Sequence, residues 1–479
     1  MSTPSFRTLS TEQIEAIHAA SLEILRDPGI RVTTEEARDL LLAAGCTPIG
    51  EQLSIPAEVV ERAIDSAPKS FSIFDREGEP KIRLGEGRGT HFSPGVTALT
   101  YLDPMTGEAR PYTFGDIADV ARLADALPSM DFVTTPGVVR ATDSVPQALV
   151  NQHEFLAMVT NTTKPLVVLV ADGEGLGDVF EMAAAVAGGR DGFERTPFVV
   201  PYLNPVSPLL FNPETLDKLL LAAEWGAPAV LQSAPQVGGT SPVTYAGAAA
   251  ITNAESLAGL VLSQCKREGA PFITGAVPMV VDMRTGNSSS GGPLAVSLMI
   301  AAAELARFYG LPCLGVGGGA DAKLDDEQAY LESEFYAFGA ILGGVDMVFD
   351  VGNVEAGLAH SPRVVVVMNE VIAMIRAGLG GFEVDEEQLA LDTVRAVGVG
   401  ETYLGQPHTL RHFRELWKAD LLSIEDRRRW ADEGSTTLGE RARDRIAEIL
   451  QTHEVPPLSG DVVAEMQAVI EVRRRAVEG

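Results

Sequence analysis

The residues that could do chemistry sit at the ends of short apolar runs. MVFDVGN (347–353) carries a carboxylate, Asp350, inside such a run. A carboxylate there is costly to bury unless it is paired or used, so Asp350 is the candidate catalytic residue. Other run ends supply candidate substrate-binding groups: Tyr202 and Asn204 after PFVVPYL, Gln232 in PAVLQSA, and Gly317 and Gly318 in PCLGVGGG. Phe349, Asn353 and Glu355 flank Asp350 itself. Ser93, Thr135, Ser233 and Thr274 stand at equivalent places. The set holds carboxylates, amides and rings. It contains no Ser-His-Asp arrangement, no HExxH and no run-end lysine suited to a Schiff base. Rings that face a positive charge and a carboxylate that neutralises it suit the binding of a cation. Core packing is the competing reading for Tyr202 and Phe349.

Glycines at 317–319 follow an apolar strand pattern and precede Asp321, Lys323, Asp325 and Asp326. Without a Cβ they would let another molecule approach the backbone. His408 and His412 are four residues apart, so one helical face can carry both. No further metal ligand is evident in the sequence, so no metal site is expected. A capping or packing role is the favoured reading for the pair. Glu255 reads as a paired core carboxylate or a solvent-facing group, and Asp282 with Arg284 as a brace in DMRTG.

The elements that must position these residues alternate. THFSPG (90–95), DFVTTPGVV (131–139), PLVVLVA (165–171), PFVVPYL (197–203), PAVLQSA (228–234), PFITGAV (271–277), PCLGVGG (312–318) and MVFDVGN (347–353) read as eight buried strands, each followed by a helical pattern. Continuous apolar strands alternating with amphipathic helices indicate a parallel sheet covered on both faces, and eight repeats favour an α/β (β/α)8 TIM barrel. Functional groups then gather at the C-terminal strand ends. Residues 1–88 are expected to form a helical N-terminal region with short strands, with Thr11 and Thr34 as helix caps. Residues 89–360 form the barrel and 361–479 a helical C-terminal extension that packs outside it or against another subunit.

Composition narrows the class. With 37 basic and 66 acidic residues in 479, the net charge is −29. Such a surface repels phosphate backbones, so nucleic acid is not an expected partner, and its field favours a cationic substrate. Three separated cysteines, Cys46, Cys265 and Cys313, form no CxxC pair and argue against a disulfide framework or a thiolate zinc site. No signal peptide or membrane span is evident, so a cytoplasmic protein is expected. No GxGxxG opens the first unit, which weakens a dinucleotide-binding reading.

Taken in order, NPVSPL (204–209), GGTSPVTYAGA (238–248), ESLAGLVLSQCKREGAPFITG (255–275), DMRTG (282–286), DAKLDDEQA (321–329) and HTLRHFRELW (408–417) resemble the trimethylamine methyltransferase family along nearly the whole chain. The resemblance implies a (β/α)8 barrel that moves a methyl group from a methylated amine to the cobalt of a corrinoid (cobalamin) on a separate protein, with no cofactor tightly bound to the barrel. Founding archaeal members carry pyrrolysine, and this chain has only standard residues. It therefore looks like the non-pyrrolysine branch, whose members demethylate quaternary amines such as glycine betaine. If the substrate also bears a carboxylate, the resemblance implies a cationic or amide partner for it, and His408 and the backbone amides of Gly317, Gly318 and Gly319 are the candidates. Two alternatives stay open at this level: a metal-dependent barrel lyase or hydrolase built on Asp350, and a non-catalytic barrel that binds a methylated amine.

Overall fold

A computed structural model describes residues 6–85 and 89–478. The expected strands form one eight-stranded parallel sheet: β1 (His91–Pro94), β2 (Val133–Thr134), β3 (Leu166–Val168), β4 (Val199–Leu203), β5 (Ala229–Ser233), β6 (Phe272–Ala276), β7 (Cys313–Val316) and β8 (Met347–Val351). The hydrogen-bonded order is β1-β8-β7-β6-β5-β4-β3-β2. The barrel closes between β1 and β2. There a backbone bond from Asp131 N to the Phe92 carbonyl at 2.6 Å is joined by side-chain bonds, with Thr134 N donating to Ser93 Oγ at 2.8 Å and Phe92 N to the Asp131 carboxylate at 3.0 Å. The second strand is much shorter than DFVTTPGVV suggests. Pro136 has no N–H to continue a ladder, and beyond Thr134 only isolated bridges at Gly137 and Val139 remain.

Buried aliphatic residues on both faces of these strands explain their continuous apolar runs. Four of the helices between them end on left-handed glycines, Gly188, Gly226, Gly310 and Gly344, in line with the sequence pattern. The loops at the C-terminal strand ends are themselves ordered into two small sheets. One joins Asn353–Val354, Ala359–His360, Thr100–Leu102 and Ala109–Pro111. The other joins Gln236–Val237, Met279–Val281 and Ser288–Ser289.

N-terminal helices Thr11–Arg26, Glu35–Ala44 and Ala57–Ser66 pack on the long Tyr245–Lys266 helix. Ser10, not Thr11, caps the first of them, because its hydroxyl and the Gln13 side chain form a reciprocal box. Thr34 caps the second as expected, accepting from Ala37 N. The expected boundary at residue 88 lies outside the described residues. After Pro362–Leu379, the helix Leu438–Thr452 packs back onto it, and Gly460–Glu478 packs on Gly173–Ala187, so both lie outside the barrel. No helix among the described residues is long and apolar enough to cross a membrane.

Candidate active site

The site is built around an irregularity in β8. Pairing of β8 with β1 shifts register between Val348 and Val351, and Asp350 sits there with φ 76°. A non-glycine residue in left-handed backbone is strained, and such strain persists where the surroundings impose it. Regular pleating would send Phe349 and Asp350 to opposite faces. Phe349 faces inward: its ring meets that of Tyr202, from β4 on the opposite wall, edge-on at 5.5 Å. A bulge re-aims the next side chain. Asp350 Oδ2 accordingly lies 3.6 Å from where a Cβ on Gly319 would stand, and Ser290 Oγ lies 3.7 Å from the same point.

Asp350 is buried, and burial pushes its carboxyl up to about 7 against the opposing bond from Asn353. Asn353 Nδ2 donates to Asp350 Oδ1 at 2.5 Å, while Asn353 Oδ1 has no partner among the described residues. Around the barrel, Asn204 Nδ2 donates to the Tyr202 hydroxyl at 3.3 Å and to the Gln232 carbonyl at 2.9 Å. This ties β4 to β5 at the strand ends. Burial raises the Tyr202 phenol, so it stays neutral. Gln232 is fully buried, and neither its Oε1 nor its Nε2 has a partner among the described residues. Its amide occupies the space a side chain on Gly275 would need, since a Cβ there would stand 2.3 Å from Oε1. An unpaired buried polar group costs about 1–3 kcal/mol. Three such atoms, Gln232 Oε1 and Nε2 and Asn353 Oδ1, lie at one barrel end, where a ligand or water can complete their bonding.

Neighbouring loops are braced rather than free. Asp321 accepts from Ser289 Oγ and from Ser290 N at 2.8 Å, and the Tyr336 hydroxyl donates to the Ser290 carbonyl. Glu255 is buried and accepts from Ser207 Oγ, Ser233 Oγ and Leu209 N. It is therefore the paired core carboxylate, and it pins the loop after β4 to the end of β5.

Several sequence expectations land differently. Gly317 donates its N–H to the Phe349 carbonyl at 2.9 Å, and a Cβ on Gly318 would stand 2.5 Å from Val351 Cα. These two glycines pack against the bulged β8, and Gly319 is the glycine that faces Asp350. Glu355 sits half-buried at φ 54°, in a turn whose N–H donates to the Ala322 carbonyl at 2.7 Å. This stitches the loop after β8 to the loop after β7. His408 is not brought to the strand ends. It lies on the short Pro407–His412 helix, its ring 4.4 Å from that of His412, with Nε2 3.3 Å from the Glu387 carbonyl. Proximity in the chain could not reveal this, because its partners come from residues 385–415. Arg284 does pair with Asp282, at 3.0 Å.

Sequence reasoning missed Ser290, Tyr336, Gly275 and His360. Ser290 lies in NSSSGG, a polar glycine-rich loop directly after β6, which was a usable signal. His360 had none. It is fully buried beside Gly352 and Gly95, bonded through Nδ1 to the Tyr112 hydroxyl at 2.6 Å, and burial pushes it down to about 4, so it is neutral.

The family model of trimethylamine methyltransferase (MTTB) matches residues 1–478. The chain belongs to the trimethylamine methyltransferase family. It is a methyltransferase. The trimethylamine methyltransferase MttB1 of Methanosarcina mazei is 32% identical over 484 residues, 98% of this chain and 96% of that one. The glycine betaine methyltransferase of Desulfitobacterium hafniense is 30% identical over 476 residues, 99% of this chain and 98% of that one. Among solved structures, the Methanosarcina barkeri monomethylamine methyltransferase is similar with a TM-score of 0.48 at 11% identity, over 99% of this chain and 95% of that chain. Family membership and the barrel expected from the sequence agree, and the strand ends of this family member carry the bulged Asp350.

Proposed function

We propose that the chain transfers a methyl group from a small quaternary amine, of the glycine betaine type, to the Co(I) of a corrinoid carried by a separate protein. The observation that supports this most is Asp350: a carboxyl buried among rings and amides, without an acid or a metal-ligating group bonded to it. A quaternary ammonium cation entering the strand ends would draw the carboxyl into its charged form and be neutralised by it. Tyr202 and Phe349 give the cation an aromatic wall. Cleavage of the C–N bond leaves its electron pair on nitrogen. The product is a neutral tertiary amine, and no proton has to be supplied. Water exclusion and alignment of one methyl group are then the work left to the protein. The bound corrinoid supplies the nucleophile that accepts the methyl group.

A betaine also carries a carboxylate. Gln232 Nε2, a buried donor without a partner among the described residues, is our candidate to meet it. Glu355 and Asn204 act as positioning residues for the loops on either side. A metal-dependent lyase is the weaker reading. Among the described residues, the one group of three carboxylate, histidine or cysteine side chains close enough to share an ion excludes Asp350.

The test is a methyl-transfer assay with reduced cob(I)alamin, and then with a corrinoid protein, against a panel of quaternary and tertiary methylamines. Methylcobalamin formed with a quaternary amine and lost in Asp350→Ala supports the reading. Silence across the panel with the corrinoid protein supplied would overturn it.

A further inference from the structure

Between residues 380 and 437 only Val397 and Leu421 are buried. The helices of this stretch, Glu386–Leu389, Leu391–Val397, Pro407–His412 and Arg427–Asp432, have 4, 7, 6 and 6 residues. Helices this short are not stable alone in water, and this stretch has almost no core of its own to hold them. Something else must fix them against one another.

One side-chain cluster joins two of them, Glu386–Leu389 and Pro407–His412. His408 and His412 share a face of the Pro407–His412 helix, and Glu387 reaches them from the Glu386–Leu389 turn, 21 and 25 residues away. Glu387 Oε1 lies 3.0 Å from His412 Nε2. One potential ligand atom from each of the three lies within 4.8 Å of the others. A tetrahedral ion with bonds of about 2.0–2.2 Å asks for ligand separations of about 3.3–3.6 Å, so small side-chain adjustments suffice. Glu415 Oε2 lies 2.8 Å from His412 Nδ1. A carboxylate behind a histidine fixes the tautomer in which Nε2 carries the free lone pair, as is usual behind metal-bound histidines. Arg411 also pairs with Glu387 Oε1, at 2.9 Å, and would have to share that carboxylate or release it.

We propose that Glu387, His408 and His412 form a binding site for a divalent transition metal of the zinc type, with Glu415 orienting His412, and that the ion staples residues 385–389 to 407–412. Two imidazoles and a carboxylate are a donor set that suits zinc and its neighbours rather than magnesium or calcium. The whole chain's net charge of −29 favours the accumulation of cations near its surface. The site is separate from the strand ends and does not rest on the proposed reaction.

The experiment uses the full chain, stripped with chelator and titrated with Zn2+ by calorimetry and with Co2+ by visible absorption. Binding of one equivalent, with at least a tenfold loss of affinity in Glu387→Gln and in His412→Ala, is expected. Glu415→Gln leaves all three ligands in place and should weaken binding about 10–100-fold. Zn2+ should also slow proteolysis between residues 380 and 437 in the parent chain alone. Failure to bind one equivalent, or retention of the parent affinity in all three variants, would overturn the site. Circular dichroism of each variant separates loss of metal from loss of fold. If His412→Ala does not fold, Glu387→Gln and Glu415→Gln decide between the two outcomes.

Discussion

Tyr202 and Phe349 meet ring to ring across the barrel, 5.5 Å between centroids and at 74°. They come from β4 and β8, which are as far apart as two strands of this sheet can be. Their contact therefore fixes the interior beside Asp350, whose charge acts on the Tyr202 phenol. Each of the following expectations depends on that arrangement or on the bonds around it.

Affinity for a quaternary amine should fall as pH drops below about 7. Asp350 titrates near 7 in the empty protein, and only its ionised form neutralises the cation. Calorimetric titrations with glycine betaine at pH 6 and pH 8 should differ by several-fold in Kd, with tighter binding at pH 8. Asp350→Asn should bind weakly at both. Equal affinities in the parent chain would contradict the role given to Asp350.

Stability should move in the opposite sense. Because the folded-state value lies above the ordinary 3.8, this one carboxyl is more protonated in the native protein than in the unfolded chain between about pH 4 and 7. This group's contribution is thus most favourable below 4 and is lost as pH rises through 7. The rise from 3.8 to about 7 corresponds to an upper limit of roughly 4 kcal/mol. Asp350→Asn should raise Tm at pH 8 and leave it nearly unchanged at pH 4, as read by calorimetry without substrate.

Gln232→Leu removes two buried atoms that have no protein partner. It should leave stability within about 1 kcal/mol or improve it, because no protein bond is lost. The same change should raise KM for a carboxylate-bearing amine at least tenfold, and affect one without a carboxylate less. Thermal melts and steady-state kinetics on both substrates check this.

Glu255→Ala should be strongly destabilising, by about 3–5 kcal/mol, since Ser207, Ser233 and the Leu209 N–H lose one shared buried acceptor. Denaturant melts measure it. Glu255→Gln keeps one acceptor oxygen and should recover part of the loss.

Gly318→Ala should disturb the site without touching any ligand-facing group. Its Cβ would stand 2.5 Å from Val351 Cα and 2.9 Å from the Asp350 carbonyl, so β7 or the bulge must shift. Methyl transfer should drop at least tenfold while the far-ultraviolet spectrum remains that of the parent.

The sequence by itself determined the barrel. Eight apolar runs with intervening amphipathic helices can bury both faces of a sheet in few ways, and all eight became strands in order. It also singled out Asp350, because a carboxylate inside MVFDVGN is costly to bury unless it is paired or used. Thr34 as a cap and Asp282 with Arg284 as a brace were legible for the same reason: their partners lie within three residues. What only the tertiary structure decided are relationships between distant segments. The register slip that turns Asp350 inward depends on β1 pairing with β8, 256 residues apart at Met347 and His91. Whether glycines 317 and 318 face a ligand or a neighbouring strand depends on where β8 lies. His408 has the spacing of a ligand in sequence, but its third partner, Glu387, arrives only through the folding of a loop. Spacing along a chain reports which residues share a face, whereas contact between faces is set by packing.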